Sequence, residues 1–147
     1  MVATIRTYKE RWDYLMDKQK GKKEYVKLRI RLARDKIRVA KILLRNAEYR
    51  DVISRAYYAI YYAAKAFLLS RGEDPSSHKG VDILFHRLCQ MHGKPSVNTA
   101  KIFSLMRQAH LNADYKEKVR ITKKDAKEAI DMAESFLKEI QSLIKIG

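Results

Sequence analysis

Apolar residues recur at steps of three and four along most of the chain. Val26, Ile30, Ala33, Ile37, Ala40 and Leu44 step 4, 3, 4, 3, 4, and Ile53, Tyr57, Ile60, Ala64 and Phe67 keep that rhythm in the next segment. Such spacing puts one apolar face on a helix of about 3.6 residues per turn, and no stretch alternates as a half-buried strand would. The same reading predicts helices over about 80–91 and 97–114, and a last one from Thr122, where "TKKD" offers a capping-box-like start, to about Ile144. A shorter segment around Arg11 to Lys18 opens the chain. Breaks are expected at Gly21, "RGEDPSSHKG" (71–80), "HGKPS" (92–96) and "DYKEKVRIT" (114–122). Five or six helices on short loops are the pattern of an all-α, up-and-down antiparallel bundle, and 147 residues have the length of one domain, 1–147.

Composition narrows the classes. Only 5 Gly and 2 Pro, with 46% hydrophobic residues, exclude a disordered basic tail. The lone Cys89 excludes an internal disulfide and leaves no second thiol for a thiolate metal site, which fits a reducing cytoplasm. No run of about 18 uncharged apolar residues occurs, so neither a membrane span nor a signal peptide is expected. The net charge of +15 exceeds what solubility asks of a small domain and points to an anionic partner.

That charge is concentrated. Between Lys18 and Arg45 stand twelve basic residues and two acidic ones, a local balance of +10. Lys27, Arg31, Arg34, Arg38, Lys41 and Arg45 step 4, 3, 4, 3, 4 beside the apolar stripe and form a basic ridge. A solvated face usually mixes signs to gain pairs at four-residue spacing, whereas this one repels itself, and phosphate is the economical explanation. The next segment, "SRAYYAIYYAAKAFLLSRG", carries two further lines. Ala56, Ala59, Ala63 and Ala66 make a small-residue seam for close packing, and Asp51, Arg55, Tyr58, Tyr62 and Lys65 make a polar and aromatic stripe. A fully exposed line would not recruit Tyr twice, and a fully buried one would not hold Arg and Lys unpaired, so the stripe is expected in a groove or at a subunit interface. The alternative is a packing line whose hydroxyls reach water and whose Arg55 pairs with Asp51.

The run just quoted, followed by "SSHKGV", "RQAHLNADY" and "ITKKDAKEAIDMAESFLKEI", resembles the HEPN domain (higher eukaryotes and prokaryotes nucleotide-binding) in its small single-domain prokaryotic branch, over about residues 25–145. The resemblance implies a helical bundle, usually homodimeric. Many such proteins are metal-independent endoribonucleases or toxins paired with a minimal nucleotidyltransferase; others only bind RNA or nucleotide. It also implies a catalytic Arg followed, after four to six residues, by His. Arg55 matches the Arg, but the His position is Tyr62. Cleavage by the RNA's own 2′-hydroxyl needs a base that is free near neutral pH beside a guanidinium. A phenol with pKa near 10 is ionised to about one part in a thousand at pH 7, a deficit of about 4 kcal/mol against that requirement. Another departure is Ala64, which stands where some relatives carry the Tyr that accepts a nucleotide.

Other histidines are candidates to stand in. His78 in "SSHKG" precedes a helix start, where backbone N–H groups favour an anion; ordering the turn is its blander role. His86, Cys89, His92 and His110 lack paired metal-ligand spacing and are expected in core or surface positions. No metal or cofactor is implied. Two function classes stand: an RNA- or nucleotide-binding module with a degenerate ribonuclease motif, and an active endoribonuclease using Arg55 with Tyr62 or His78. A third is a structural dimer that binds an acidic protein through its basic helix.

Overall fold

A computed structural model describes residues 7–144, with side chains for Thr7, Glu10 and every position from Gly21 onward. These residues form five helices: α1 (Tyr8–Arg45), α2 (Tyr49–Ser70), α3 (His78–His92), α4 (Val97–Tyr115) and α5 (Lys123–Leu143). There is no strand among them, and the fold is the all-α bundle that the apolar period predicts. None of the described helices is long and apolar enough to cross a membrane.

One expected boundary is corrected. Gly21 does not break the chain; α1 runs through it for 38 residues, so the opening segment and the second predicted helix are one element. A mid-helix glycine costs about 1 kcal/mol against alanine, less than a new pair of helix ends would cost in uncapped backbone groups. The real turn lies later, where Asn46 donates from its side-chain amide to the Ile42 carbonyl at 2.9 Å and Ala47 takes φ 58°. The remaining ends follow the sequence closely. The Thr122 hydroxyl accepts from the Asp125 N–H while the Asp125 carboxylate accepts from the Thr122 N–H, completing the predicted capping box of α5.

Helix α2 is the hub and touches all four others. Val52, Ile53, Ala56, Tyr57, Ala59, Ile60, Tyr61, Ala63, Ala64, Ala66, Phe67 and Leu68 are buried around it. The alanine seam is fully packed, with Ala56, Ala59, Ala63 and Ala66 at 0–1% exposure, and enlarging any of them would cost about 1–3 kcal/mol through overpacking. At one end Phe67, Phe85, Phe103 and Phe136 interlock, the Phe85 ring lying 5.5 Å from Phe103 and 5.4 Å from Phe136. At the other, Ala40, Val52, Ala126 and Ile130 close α1, α2 and α5 together. This burial leaves α2 one open line, which sets the site.

Candidate functional site

The open line of α2 is the stripe read from the sequence. Asp51, Ser54, Arg55 and Tyr58 line a groove of about 350 Å³ whose other walls are Val39 and Leu43 of α1 and Asp114 of α4. Arg55 is exposed and has no hydrogen-bond or ion-pair partner among the described residues. Tyr62 does not line this groove; half-buried, it stands edge-on to Tyr61 at 5.8 Å. Lys65 lies further along, 5.7 Å above the Tyr61 ring, beside Arg29, which donates to the Lys65 carbonyl and to Asp74. Burial and the neighbouring Arg29 charge push the Lys65 ammonium below its ordinary value.

Two histidines converge on the inner face of the same stretch. His110 of α4, only 8% exposed, lies parallel to Tyr57 with ring centres 4.6 Å apart. His78, at the first position of α3, lies parallel to Tyr61 at 4.2 Å and has Nδ1 3.2 Å from the Tyr57 hydroxyl. Burial pushes the Tyr57 phenol up to about 12, so the hydroxyl that shares this hydrogen bond with His78 keeps its proton. Tyr58 stands edge-on to all four rings, at 5.3 Å from Tyr57, 5.4 Å from His110, 6.1 Å from His78 and 6.3 Å from Tyr61. It thus forms the partition between the Arg55 groove and the two imidazoles.

Local sequence explains both placements. The Ser77 hydroxyl caps α3 by accepting from the Gly80 N–H, and a Cβ on residue 80 would meet Ser77 Oγ at 3.0 Å and the Pro75 Cβ at 3.1 Å. The glycine lets "PSSHKG" close the turn that delivers His78 without pushing Ser77 or Pro75 aside. The end of α4 is held by Arg50, whose guanidinium donates to the carbonyls of Ala113, Lys116, Glu117 and Val119. The Ala113 carbonyl is one of the orphan carbonyls of the α4 terminus, and the others belong to the segment that follows it. Arg50 thus ties the end of α4, four residues or fewer from His110 and next to Asp114, to the chain that leaves it.

Around His110 the polar groups form a closed set. Ser54 donates to Asp114 Oδ1 at 2.7 Å, and His110 Nδ1 lies 3.2 Å from Ser54 Oγ and 3.3 Å from Asp114 Oδ2. Burial holds the imidazole below its ordinary pKa, with Asp114 opposing and His78 adding to the shift. Burial lowers His78 as well, aided by the charges of Arg107 and Lys65. Both rings are predominantly neutral at pH 7.

The basic ridge occupies the other flank of α1. Lys27, Arg31 and Arg34 border a recess of about 380 Å³ with Gln141 and Ile144, and Lys41 reaches Glu134 of α5 at 3.2 Å. Lys27 and Arg38 lie 4.0 and 3.9 Å from Glu24 and Asp35, exposed pairs worth less than about 1 kcal/mol. Arg31, Arg34 and Arg45 have no acidic partner among the described residues. Asp51, Arg55 and Tyr58, which share one face of α2 by spacing, lie together on the groove, whose lining also includes Ser54 and Asp114, with His110 bonded to Ser54 behind them. None of these last three is singled out by the sequence as a site residue. Cys89 is buried, its thiol pushed up to about 11 by burial, and His86 is bonded at both ring nitrogens. No group of three His, Cys, Asp or Glu able to hold a metal occurs among the described residues.

Comparison with known proteins agrees with this architecture. The HEPN domain profile matches residues 26–143. A UPF0332 protein of Thermotoga maritima is 35% identical over 115 residues, covering 78% of this chain and 87% of that one. A Methanocaldococcus jannaschii protein named as a toxin candidate is 32% identical over 123 residues, covering 84% and 91%. With the profile spanning most of the five-helix bundle, the chain belongs to the HEPN domain family.

Proposed function

We propose that this chain is a cytoplasmic, toxin-type HEPN protein that binds RNA, seating a phosphate at Arg55 and drawing the strand in along the ridge from Lys27 to Arg45. The observation that carries the reading is Arg55 itself: a guanidinium without an acidic partner among the described residues, in a groove flanked by a half-buried tyrosine. Guanidinium matches phosphate with paired donors, and Tyr58 offers a ring on which a base can stack. Toxin character is supported by the name of the jannaschii relative, and a minimal nucleotidyltransferase is the partner that this family relationship suggests.

Assembly follows from the same face. Tyr25 and Leu28, 59% and 41% exposed, share a flank of α1 with Leu32, Val39 and Leu43, beside the groove. An isologous contact there would cover this apolar flank and set two Arg55 grooves close together. Light scattering at tens of micromolar should give a dimer mass, and a monomer would remove this part of the proposal.

The binding test is salt dependence. Fluorescence anisotropy with mixed-sequence single-stranded RNA should give a linear fall of log affinity with log salt, and Arg31→Ala with Arg38→Ala should flatten the slope by about 1–2 units. An unchanged slope would mean the ridge does not touch phosphate. A second reading, endoribonuclease, is favoured by one observation: the imidazole of His110 is separated from the Arg55 groove only by Ser54, Tyr58 and Asp114.

A further inference from the structure

We infer that His110 is the general base of the Arg55 groove, held in its working tautomer by Asp114 and Ser54, and that it supplies the function for which Tyr62 is unsuited. The inference rests on the ribonuclease reading above and names the group that would carry it. The hydrogen-bond geometry decides the tautomer. Ser54 has one proton and gives it to Asp114 Oδ1 at 2.7 Å, so it cannot also donate to the imidazole. The Ser54 oxygen can then only accept, from an Nδ1–H 3.2 Å away, while Asp114 Oδ2 stands 3.3 Å from the same nitrogen as the neighbouring charge. The lone pair of neutral His110 is then on Nε2, the arrangement in which a carboxylate orients an imidazole and stabilises the cation it becomes.

Nε2 has no hydrogen-bond partner among the described residues, yet it is not among the polar atoms sealed from solvent. A buried imidazole with one nitrogen fixed and the other still reachable differs from a packing histidine, which would have both satisfied or covered. His110 does not itself line the groove, but Ser54, Tyr58 and Asp114 line it and border the imidazole, and the proposal places the ribose-phosphate across Tyr58, between the guanidinium and Nε2. The side chains facing the imidazole are Tyr57 and Tyr58 from α2, His78 from α3 and Asp114 from α4; the two phenol rings bring no charge while protonated, and His78 is the like-signed group.

The step balances without any further reactant. The 2′-hydroxyl proton passes to Nε2 as the 2′-oxygen forms its bond to phosphorus and the bond from phosphorus to the 5′-oxygen breaks. Arg55 compensates the charge that grows on the non-bridging oxygens. The departing 5′-oxygen takes a proton from water, the imidazolium returns its proton to solvent, and the products are a 2′,3′-cyclic phosphate and a 5′-hydroxyl.

The experiment uses the full chain, a fluorescently labelled single-stranded RNA of mixed sequence and excess chelator, with cyclic-phosphate product and RNA affinity read side by side. Wild type should yield the cyclic phosphate, and His110→Gln should lose at least about 100-fold in rate, the usual weight of a general base, while its RNA affinity stays within about twofold. Because His110 is packed on Tyr57, a second variant guards against loss of folding. Asp114→Asn keeps the shape, and removing the charge that raises the His110 pKa should move the acidic limb of the pH–rate profile to lower pH. A purely structural Asp114 would leave that limb in place. Wild type that binds RNA but forms no cyclic phosphate overturns this inference and leaves the binding proposal standing; absence of binding overturns both. Cleavage that survives His110→Gln and disappears in Tyr62→Phe assigns the base elsewhere and also overturns it.

Discussion

Helices α3 and α4 each carry a histidine and an aspartate four residues apart, and the two pairs have different surroundings. In α3, His86 has both ring nitrogens occupied, Nδ1 at 2.8 Å from the Asp82 carbonyl oxygen and Nε2 at 2.8 Å from Ser104 Oγ. Asp82 Oδ2 accepts from Arg107 at 2.9 Å and joins α3 to α4, while its Oδ1, 3.1 Å from His86 Nδ1, is buried without a hydrogen bond. In α4, His110 shares Asp114 with Ser54 alone and keeps Nε2 unengaged, beside a groove whose Arg55 has no counter-ion among the described residues. Residue type and spacing are the same in both pairs. What separates a structural pair from a reactive one is whether both imidazole nitrogens are engaged and where the nearest unpaired charge lies.

The largest stability effect should come from the α3 pair, whose aspartate ties α3 to Arg107 of α4. Asp82→Ala removes the acceptor of half-buried Arg107 and a neighbour of His86, and a broken, partly buried ion pair should cost about 1–3 kcal/mol. For a chain of this size that lowers the thermal midpoint by roughly 2–4 °C per kcal/mol. Asp114→Ala should cost less than half as much, since Asp114 is exposed and the Ser54 hydroxyl still bonds His110 Nδ1. If the two variants melt together, the α3 network is not the structural member of the comparison.

Why the sequence disclosed one member of the contrast and not the other follows from range. The open stripe of α2 was legible because Asp51, Arg55, Tyr58, Tyr62 and Lys65 lie on one helix, where spacing alone places them on a face. The α5 capping box was legible for the same reason. His110 is expected in a core or surface position and it is buried, but its surroundings depend on Ser54 from another helix and on Arg50 holding the α4 terminus, contacts between residues more than 50 positions apart. The one local signal was the four-residue step from His110 to Asp114, and His86 with Asp82 shows that this step alone does not discriminate. Gly21 misled in the opposite sense, since a glycine signals a break only where the flanking residues do not favour helix, and "DKQKGKKE" does.

A smaller effect should appear in the pH dependence of stability. The folded-state pKa of His110 is lowered from 6.5, chiefly by burial, and that of His78 is lowered likewise. Between 6.5 and those lower values the unfolded chain binds more protons than the folded one, so stability is complete above about pH 6.5 and falls as the pH drops through that window. His110→Gln should therefore flatten the decline of the thermal midpoint below pH 6.5 without abolishing it, because His78 continues to contribute. An identical acid slope in wild type and His110→Gln would show that the imidazole is not desolvated as its 8% exposure implies.

The smallest separation is expected between the two serines, and it sharpens the comparison most directly because each bonds one of the histidines. Ser104→Ala removes the 2.8 Å contact to His86 Nε2 at an exposed position, where water can take the vacated site. Its cost should lie within about 0.5 kcal/mol of zero, as for most surface substitutions. Ser54 is half-buried between Asp114 and His110, and its hydroxyl serves both. Ser54→Ala leaves exposed Asp114 to water but removes the hydroxyl bonded to Nδ1 of buried His110, for an expected loss of about 0.5–1.5 kcal/mol, or a few degrees in the thermal midpoint. Calorimetry on the two alanine variants measures the difference directly. A larger loss for Ser104→Ala would reverse the assignment, making the α3 histidine the one that depends on a single fixed partner and the α4 cluster the redundant one.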